Sequence, residues 1–135
     1  MKYEIPKNAR ILSVDGDYNY GKGLSIMRGL KIETDKGDIK LLIDDIPCCC
    51  ENWDALYLET PDNLDKIVGA KILEISDIEI KTDEYNQNSC DLEETQLRVT
   101  TTKGIIQFAV YNEHNGYYAH TTFTQIFDKE MTGSL

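Results

Sequence analysis

Residues 24–45, LSIMRGLKIETDKGDIKLLIDD, decide the fold class. In the second half of this stretch Ile39, Leu41 and Ile43 recur at every second position, which is typical of a strand that buries one face. The turn-forming residues Asp35–Gly37 separate this run from an earlier apolar run, so they predict a short hairpin connection. The stretch therefore predicts two neighbouring antiparallel strands.

Strand-like runs continue on both sides of this hairpin. They are ARILSV at 9–14, AKILEISDIEIKTD at 70–83, TQLRVTTTKG at 95–104, GIIQFAVYN at 104–112 and YYAHTTFTQIF at 117–127. The apolar positions change phase within the run at 70–83, which predicts a β-bulge near Ser76–Asp77. Short turns favour antiparallel neighbours, so the predicted fold class is β-rich α+β, with a curled antiparallel sheet or a small sandwich.

One short α-helix near residues 61–68 supplies the helical part of this prediction. Thr60 can accept backbone N–H groups as the N-cap, and Pro61 suits the first helical position. Gly69 is typical of the residue that follows a helix end. The apolar side chains at helical spacing, which we expect to pack on a sheet, are Leu64, Ile67 and Val68.

Length and composition predict a single domain that spans residues 1–135. The chain has 135 residues, of which 41% are hydrophobic, and this is enough for a core. The end of the chain, residues 128–135, is expected to be a frayed tail. No apolar run approaches the length of about 18 residues that a membrane span needs, and no apolar export signal is visible, so a cytoplasmic location is expected.

The net charge of −10 limits the classes of partner. Nucleic-acid binding ordinarily depends on lysines and arginines that neutralise phosphates, so direct nucleic-acid binding is not expected. Anionic membrane surfaces are disfavoured for the same reason. The acidity can serve solubility alone, or it can address a basic protein, as an inhibitor that mimics nucleic acid does. Both interpretations stay open at this point.

The four cysteines do not have the spacing of a metal site. Cys48, Cys49 and Cys50 are adjacent, whereas zinc ligands are usually separated by about two to four residues. Adjacent cysteines also bridge each other only with strain, because a disulfide needs well-separated Cα atoms. Together with Cys90 they are expected to be reduced thiols, and no metal or other cofactor is predicted.

Residues 110–120, VYNEHNGYYAH, crowd hydrogen-bonding rings around one turn. Asn115–Gly116 between two strands predicts a tight hairpin turn, and its register would place Tyr111 opposite His120. A histidine opposite a tyrosine, close to a carboxylate, can hydrogen-bond a ligand. Aromatic cross-strand pairs can also simply stabilise a hairpin. The stretch is therefore either a site or a packing feature.

The second dense stretch is DDIPCCCENWDA at residues 44–55. Its tryptophan, Trp53, is the only one in the chain and has the apolar area to anchor a core. Glu51 would be costly to bury without a partner. A tyrosine or histidine of residues 110–120, which we call the terminal stretch, could supply one. We therefore expect residues 49–53 and 111–120 to meet in space and form one site.

The two stretches together resemble the DUF7448 family, small proteins of unknown function from bacteriophages and their bacterial hosts. The resemblance rests on Cys-Cys-Glu-x-Trp at 49–53, a Gly-Ala strand that begins at Gly69, and Tyr-Asn-x-His-Asn-Gly-Tyr-Tyr at 111–118. It spans roughly residues 38–122, and Cys48 is an addition to the pattern. The family has no assigned activity, so the resemblance implies a setting rather than a reaction.

A phage setting implies a small binding protein that acts against host defence in the host cytoplasm. It would either occlude a defence protein or sequester a nucleotide-type signal, and neither role needs catalysis. A nucleotide would stack on tyrosines, while its phosphates would need arginine. A second copy of the chain is a further candidate partner. The predicted binding residues are Cys49, Cys50, Glu51, Trp53, Tyr111, Asn112, His114, Asn115, Tyr117, Tyr118 and His120, with Arg28 and Arg98 for phosphate, and no residue is assigned to catalysis or to a metal.

A small enzyme is the alternative from a different class. His114, His120 and Glu113 could act as acid, base or metal ligands, and Cys49 or Cys50 could act as a nucleophile. The two histidines are predicted on opposite faces of the hairpin, which argues against shared chelation. The sequence has no phosphate loop, nucleophile elbow or dinucleotide-binding glycine pattern, and this favours a binding protein.

Overall fold

The computed structural model describes residues 1–22, 25–45, 52–81, 91–114 and 120–135. Within these residues nine strands form two antiparallel sheets, so the prediction of a β-rich antiparallel fold is confirmed. The strands are β1 (Ile11–Lys22), β2 (Ser25–Thr34), β3 (Gly37–Asp44), β4 (Asn52–Glu59), β5 (Ile72–Lys81), β6 (Asp91–Thr101), β7 (Gly104–His114), β8 (Thr121–Ile126) and β9 (Lys129–Ser134). The five-stranded sheet has the order β1-β2-β3-β8-β9, and the four-stranded sheet has the order β4-β7-β6-β5.

The hairpin predicted from residues 24–45 lies at the centre of the five-stranded sheet. β2 and β3 pair as far as Thr34 opposite Gly37, so Asp35 and Lys36 make the turn. Burying one aliphatic side chain stabilises a fold by about 1.5 to 3 kcal/mol. The alternating apolar side chains of the two strands are all fully buried: Leu30, Ile32, Ile39, Leu41 and Ile43.

The two sheets face each other across one hydrophobic core. Within the four-stranded sheet, Tyr57 packs edge-on against its cross-strand partner Phe108, with ring centroids 5.1 Å apart. Strand β4 contacts β1, β2 and β3, and β7 contacts β3, so these strands join the two sheets. The buried side chains that the four-stranded sheet adds to the core are Ile72, Ile75, Leu97, Val99, Ile106, Phe108 and Val110.

The predicted α-helix near residues 61–68 is wrong. The structure has a single 3-10 turn at Leu64–Ile67, and the described residues contain no α-helix, so the α+β part of the prediction is wrong as well. Asn63, rather than Thr60, is the N-cap, because its side chain accepts the N–H of Asp65 at 3.0 Å.

The turn stays short because the residues after it are held by strand β1. The N–H of Gly69 donates to the carbonyl of Ile11 at 2.7 Å, and the N–H of Ile11 donates to the carbonyl of Ala70 at 2.9 Å. Backbone groups that pair with a strand cannot also continue a helix. Of the predicted apolar stripe, Ile67 is buried, Leu64 is half-buried and Val68 is 44% exposed.

The β-bulge predicted near Ser76–Asp77 lies elsewhere. Strand β5 shifts register against β6 at Leu73, directly after Ile72. The bulge leaves Leu73 53% exposed, whereas Ile75 is fully buried. Because the sheet has one buried face, the later apolar residue Ile78 falls on the outside and is 56% exposed.

The frayed tail predicted at residues 128–135 is instead a paired strand, β9. It pairs with β8 along its length, starting from Ile126 opposite Lys129. Phe127, with a φ of 57°, makes the tight connection between the two strands. The polar composition misled the prediction because an edge strand that is exposed needs few apolar residues.

The hairpin predicted across residues 110–120 is wrong in its pairing, because its two strands belong to different sheets. β7 lies between β4 and β6, whereas β8 lies between β3 and β9. Tyr111 therefore pairs with Asp54 of β4 rather than with His120. Asn115–Gly116, on which the prediction rested, lie outside the described residues. A local turn signal does not report which sheet each flanking strand joins.

Candidate functional site

Strands β4 and β7 bring the end of the Cys-Cys-Glu-x-Trp segment beside the terminal stretch. Trp53 pairs with Asn112, and Asn52 pairs with Glu113. Asn112 is fully buried and Trp53 packs against the core, whereas Glu113 is exposed. The described parts of the two dense stretches are therefore neighbours in one sheet.

His120 reaches the same tryptophan from the five-stranded sheet. It directly precedes β8, and its side chain is 3% exposed. The centroids of the His120 and Trp53 rings are 4.8 Å apart, and the ring planes are tilted by 41°. Tilted aromatic pairs at this separation are stabilising. The terminal stretch thus touches Trp53 twice, once from each sheet.

Asp44, at the end of β3, orients the His120 ring. Its Oδ1 atom is hydrogen-bonded to Nδ1 of His120, and its Oδ2 atom accepts the N–H of Thr121 at 2.6 Å. Both oxygens of the carboxylate are therefore used, and the imidazole is held in one orientation against Trp53.

Arg28, on β2, adds a cation to the tryptophan. Its guanidinium carbon lies 4.9 Å from the centroid of the Trp53 ring, within the range of a cation–π contact. Its Nη2 donates to Oδ1 of Asp54 at 2.6 Å, and its Nε donates to Oδ1 of Asp45 at 3.3 Å. We call the six residues of this arrangement the Trp53 cluster: Arg28, Asp44, Asp45, Trp53, Asp54 and His120.

Carboxylates outnumber permanent cations in the Trp53 cluster. Burial opposes ionisation of Asp54, but the N–H of Ala55 and the Arg28 guanidinium outweigh it and hold the pKa of this carboxyl below its usual value. Asp54 therefore stays ionised at neutral pH. Arg28 supplies one positive charge against the three carboxyl groups of the cluster, so the site is acidic.

Tyr111 lies on the outer face of the four-stranded sheet, next to the cluster. Burial raises the pKa of its hydroxyl, and the negative charges of Asp54, Glu113 and Glu94 raise it further, while Arg28 opposes them. The Tyr111 hydroxyl is therefore surrounded mainly by carboxylates. The acidity of the cluster continues onto this face.

Leu135 ties the two parts of the terminal stretch together. Its backbone N–H and carbonyl exchange two hydrogen bonds of 2.8 Å with the backbone of His120. Its carbonyl also accepts Nδ2 of Asn112 at 3.1 Å. The predicted site residues on β7 and beside β8 are thus linked through a residue that sequence reasoning placed in a frayed tail.

Arg98 does not join the Trp53 cluster. It is exposed on β6, where its Cα partners are Gln107 and Ser76. Arg28 is therefore the one of the two predicted phosphate-binding arginines that lies beside other predicted site residues.

Several predicted site residues lie outside the described part of the chain. They are Cys49, Cys50, Glu51, Asn115, Tyr117 and Tyr118. For His114 the structure gives the backbone pairing with Asp91. The expected contact between Glu51 and the terminal stretch therefore stays a prediction, although Trp53, two residues further on, does contact that stretch.

Sequence reasoning missed the three aspartates of the cluster. Asp44 and Asp45 directly follow the alternating apolar strand, and Asp54 directly follows Trp53. The position of these carboxylates, at a strand end and beside a segment rich in aromatic and polar residues, was the sequence signal that could have identified them as site residues. Their partners were not readable from spacing, because Asp54 is 26 positions from Arg28 and Asp44 is 76 positions from His120.

The cluster can stack, accept hydrogen bonds and attract cations. Among the described residues, no group of three histidine, cysteine, aspartate or glutamate side chains could hold a metal ion. The aromatic surface of Trp53 is flanked by hydrogen-bonded polar groups, which is the composition of many protein-binding sites.

The fold and this cluster define a small open β-sandwich with an acidic, aromatic site where strands of both sheets end. The chain belongs to the DUF7448 family, described as a domain of unknown function, whose model matches residues 7–124. The family predicted from the sequence is thereby confirmed. No curated protein and no solved structure matches the chain. The described residues form no helix that is long and apolar enough to cross a membrane.

Proposed function

We propose that the protein is a small non-enzymatic binding module that occludes the surface of a partner protein. In the phage setting that the family resemblance implies, the partner is a host defence protein in the host cytoplasm. The Trp53 cluster supports a binding role, because it places a tryptophan and several fixed polar groups at the junction of two rigid sheets.

The ion pairs of Arg28 indicate whether the site suits a protein or a nucleotide as its ligand. Phosphate recognition needs an arginine whose donors are available. The Arg28 guanidinium already donates to Asp45 and Asp54, so a phosphate that used its remaining donors would lie close to two carboxylates. Like charges at that separation repel, and the site therefore favours a cationic group over a phosphate.

The outward surface beside the cluster suits a basic protein partner. Tyr111 presents an aromatic ring with Asp54, Glu94 and Glu113 around its hydroxyl. Tyrosine is enriched among the residues that dominate interface energies, and complementary charge speeds and orients association. The net charge of −10 acts in the same direction.

Affinity capture with matched charge reversals tests this function. A protein captured by the wild type is identified and purified, and its affinity is then measured for Glu113→Lys and for the control Glu74→Lys. Glu113 is exposed beside Tyr111, whereas Glu74 is exposed on β5, at the other edge of the sheet. We expect Glu113→Lys to weaken binding about tenfold or more, a loss of about 1.4 kcal/mol, and Glu74→Lys to leave it unchanged.

A nucleotide panel supplies the opposing test. A ligand at about 100 times its dissociation constant stabilises a fold by about 2.7 kcal/mol, which a thermal shift detects. We expect mononucleotides and cyclic dinucleotides to leave the melting temperature unchanged. A clear upward shift that is lost in Arg28→Ala would replace protein occlusion with sequestration of a nucleotide signal.

One observation favours an enzyme as the second candidate function. A histidine that is hydrogen-bonded through Nδ1 to a carboxylate, as His120 is to Asp44, is the base-and-orienter half of a catalytic triad. Alkylation by iodoacetamide with peptide mapping tests for an activated thiol among the cysteines. A cysteine that reacts far faster in the wild type than in His120→Gln at pH 6 would support the enzyme, because an activated thiol is a thiolate there.

A further inference from the structure

The sandwich is open between β5 and β9, the outer strands of its two sheets. A cleft of about 520 Å³ on this side is lined by residues of both strands and by Met1 and Tyr3. A second hollow, of about 170 Å³, continues the cleft past Glu79 towards Leu135. Leu135 hydrogen-bonds to Asn112 and His120, so the cleft ends directly behind the Trp53 cluster.

The edge of β9 presents unpaired backbone groups to this cleft. His120 and Leu135 exchange two backbone hydrogen bonds, so they form a hydrogen-bonded pair of the β8–β9 ladder. Such pairs alternate along antiparallel strands. The N–H and carbonyl groups of Glu130, Thr132 and Ser134 therefore point away from β8, and no described strand pairs with them.

At the edge of β5, the N-terminal segment Met1–Tyr3 already pairs with the strand through backbone hydrogen bonds. The N–H of Tyr3 donates to Ile75, and the N–H of Asp77 donates to Met1, each at 2.9 Å. The outward groups of β5 thus alternate from Ile75 through Asp77 to Glu79, and the short Met1–Tyr3 segment covers the first two of these positions. Beyond Asp77 the edge has no described partner.

Carboxylates dominate the walls of the cleft. Asp77, Glu79 and Glu94 line its two parts, whereas its cations are Lys81, which lies 3.9 Å from Glu93, and the Met1 ammonium, which lies 3.4 Å from Asp77. Burial raises the pKa of the Tyr3 hydroxyl, and Asp77 and Glu79 raise it further. A cationic side chain in this cleft would meet complementary charge.

We propose that the cleft binds an extended, lysine- or arginine-rich segment of a partner protein, which adds as a strand to the open edge of β9. Backbone pairing with Glu130, Thr132 and Ser134 provides the register, and alternate basic side chains face Glu79 and Glu94 across the cleft. The inference rests on the proposed function in that the occupant is a protein, and it names how that protein is held.

A labelled peptide tests the cleft without any identified partner. The probe is a six-residue fluorescent peptide, the length of β9, in which lysine alternates with valine. Fluorescence anisotropy at low salt compares it with the same pattern built on glutamate and with a version N-methylated at alternate residues. We expect binding of the lysine peptide, and about tenfold or weaker binding of the other two, because one loses charge complementarity and the other loses backbone pairing.

A proline variant tests the edge itself. Thr132→Pro removes an outward N–H that β8 does not use, so the fold tolerates it, whereas Thr132→Val keeps that N–H with a similar shape. We expect the proline variant to lose the lysine peptide and the valine variant to keep it, with circular dichroism unchanged in both.

Three results would overturn the inference. They are equal binding of the N-methylated peptide, absence of binding by the lysine peptide, and a wild-type dimer in solution that Thr132→Pro dissociates, since the last would make a second copy the occupant. A captured partner that depends on Glu113 while no peptide binds would overturn the strand addition alone. Peptide binding without any captured partner would overturn the proposed function alone.

Discussion

Among the regions that place a cation against an aromatic ring, the Trp53 cluster and a group on β1–β3 differ in almost everything else. In the Trp53 cluster, Arg28 contacts Trp53 at the junction of the two sheets. On the five-stranded sheet, Lys31 lies 4.7 Å from the Tyr18 ring centroid, and Lys40 lies 5.7 Å from Tyr18 and 5.5 Å from Tyr20. We call these four residues, Tyr18, Tyr20, Lys31 and Lys40, the tyrosine–lysine ladder.

The difference between the two regions is how firmly the charges are held. The Arg28 guanidinium is fixed by two carboxylates, and the neighbouring His120 is 3% exposed. In the ladder, Lys31 pairs with one carboxylate, that of Glu33, and Tyr20 is 60% exposed. A lysine held by a single carboxylate keeps more side-chain freedom than a planar guanidinium held by two, so similar contacts stabilise less there. Fixed orientation, more than the presence of a cation and a ring, therefore distinguishes the candidate site.

Removing the central ring, Trp53, should give the largest difference in stability between variants of the two regions. Trp53→Ala is expected to lower the free energy of unfolding by about 3 kcal/mol, because it leaves a cavity against the core and removes the stacking partner of Arg28 and His120. Urea unfolding measures the loss. The ladder variant Tyr20→Ala should cost less than about 0.5 kcal/mol, and equal losses in the two variants would erase the distinction between the regions.

The next largest effect is expected for Asp44→Ala, at about 2 kcal/mol, because it leaves the buried His120 Nδ1 and the N–H of Thr121 without their acceptor. Glu33→Ala, which removes the carboxylate of the ladder, is the matched control and should lower the unfolding midpoint far less. If Asp44→Ala proves as stable as the wild type, the hydrogen bond to His120 does not hold the ring.

A conservative change of the cation should separate the regions by a smaller amount. Arg28→Lys keeps the charge but loses the planar fork that reaches Asp45 and Asp54, so we expect a loss of about 1 kcal/mol in unfolding free energy. The reverse change in the ladder, Lys40→Arg, should stay within about 0.5 kcal/mol of the wild type. A neutral Arg28→Lys would show that only charge matters in the cluster.

The smallest effect is a difference in salt dependence between two carboxyl groups. The pKa of Asp54 is below its usual 3.8 and the pKa of Glu33, hydrogen-bonded to Lys31, is below its usual 4.5. Each pKa is lower in the folded state, so each carboxylate stabilises the fold above its usual pKa, and that stabilisation is lost as the pH falls through the folded pKa.

Carboxyl NMR titration with and without about 1 M salt measures both groups, because the screening length falls to about 3 Å there. The pKa of Glu33 should return towards 4.5, while that of Asp54 should stay low. Equal salt shifts at the two positions would contradict the difference in how firmly the charges are held.

The strands themselves were readable from the sequence. The alternation of Ile39, Leu41 and Ile43 predicted a one-sided strand, and the turn before it predicted the hairpin, because side-chain direction in a strand is a local property. The importance of Trp53 was also visible, since one large aromatic beside charged residues has few structural alternatives. These inferences needed only neighbouring residues.

Which strands pair was decided by the tertiary structure. The Asn-Gly turn predicted that the flanking strands pair, yet β7 and β8 lie in different sheets: β7 pairs with β4 and β6, and β8 pairs with β3 and β9. The polar β9 strand is held by the backbone ladder of β8 and by the contact of Met131 with the core. Pairing of distant segments depends on the total area buried and on backbone hydrogen bonds, and no local pattern encodes either.

The candidate site divides in the same way. The sequence by itself determined the chemistry that is present: a tryptophan, histidines, an arginine and an excess of carboxylates. Only the tertiary structure decided that Arg28 makes a cation–π contact with Trp53 and that His120 is hydrogen-bonded to Asp44. It also decided that Arg98 lies outside the cluster. These contacts join segments from both sheets, and their geometry follows from how the sheets pack around the shared core rather than from any spacing along the chain.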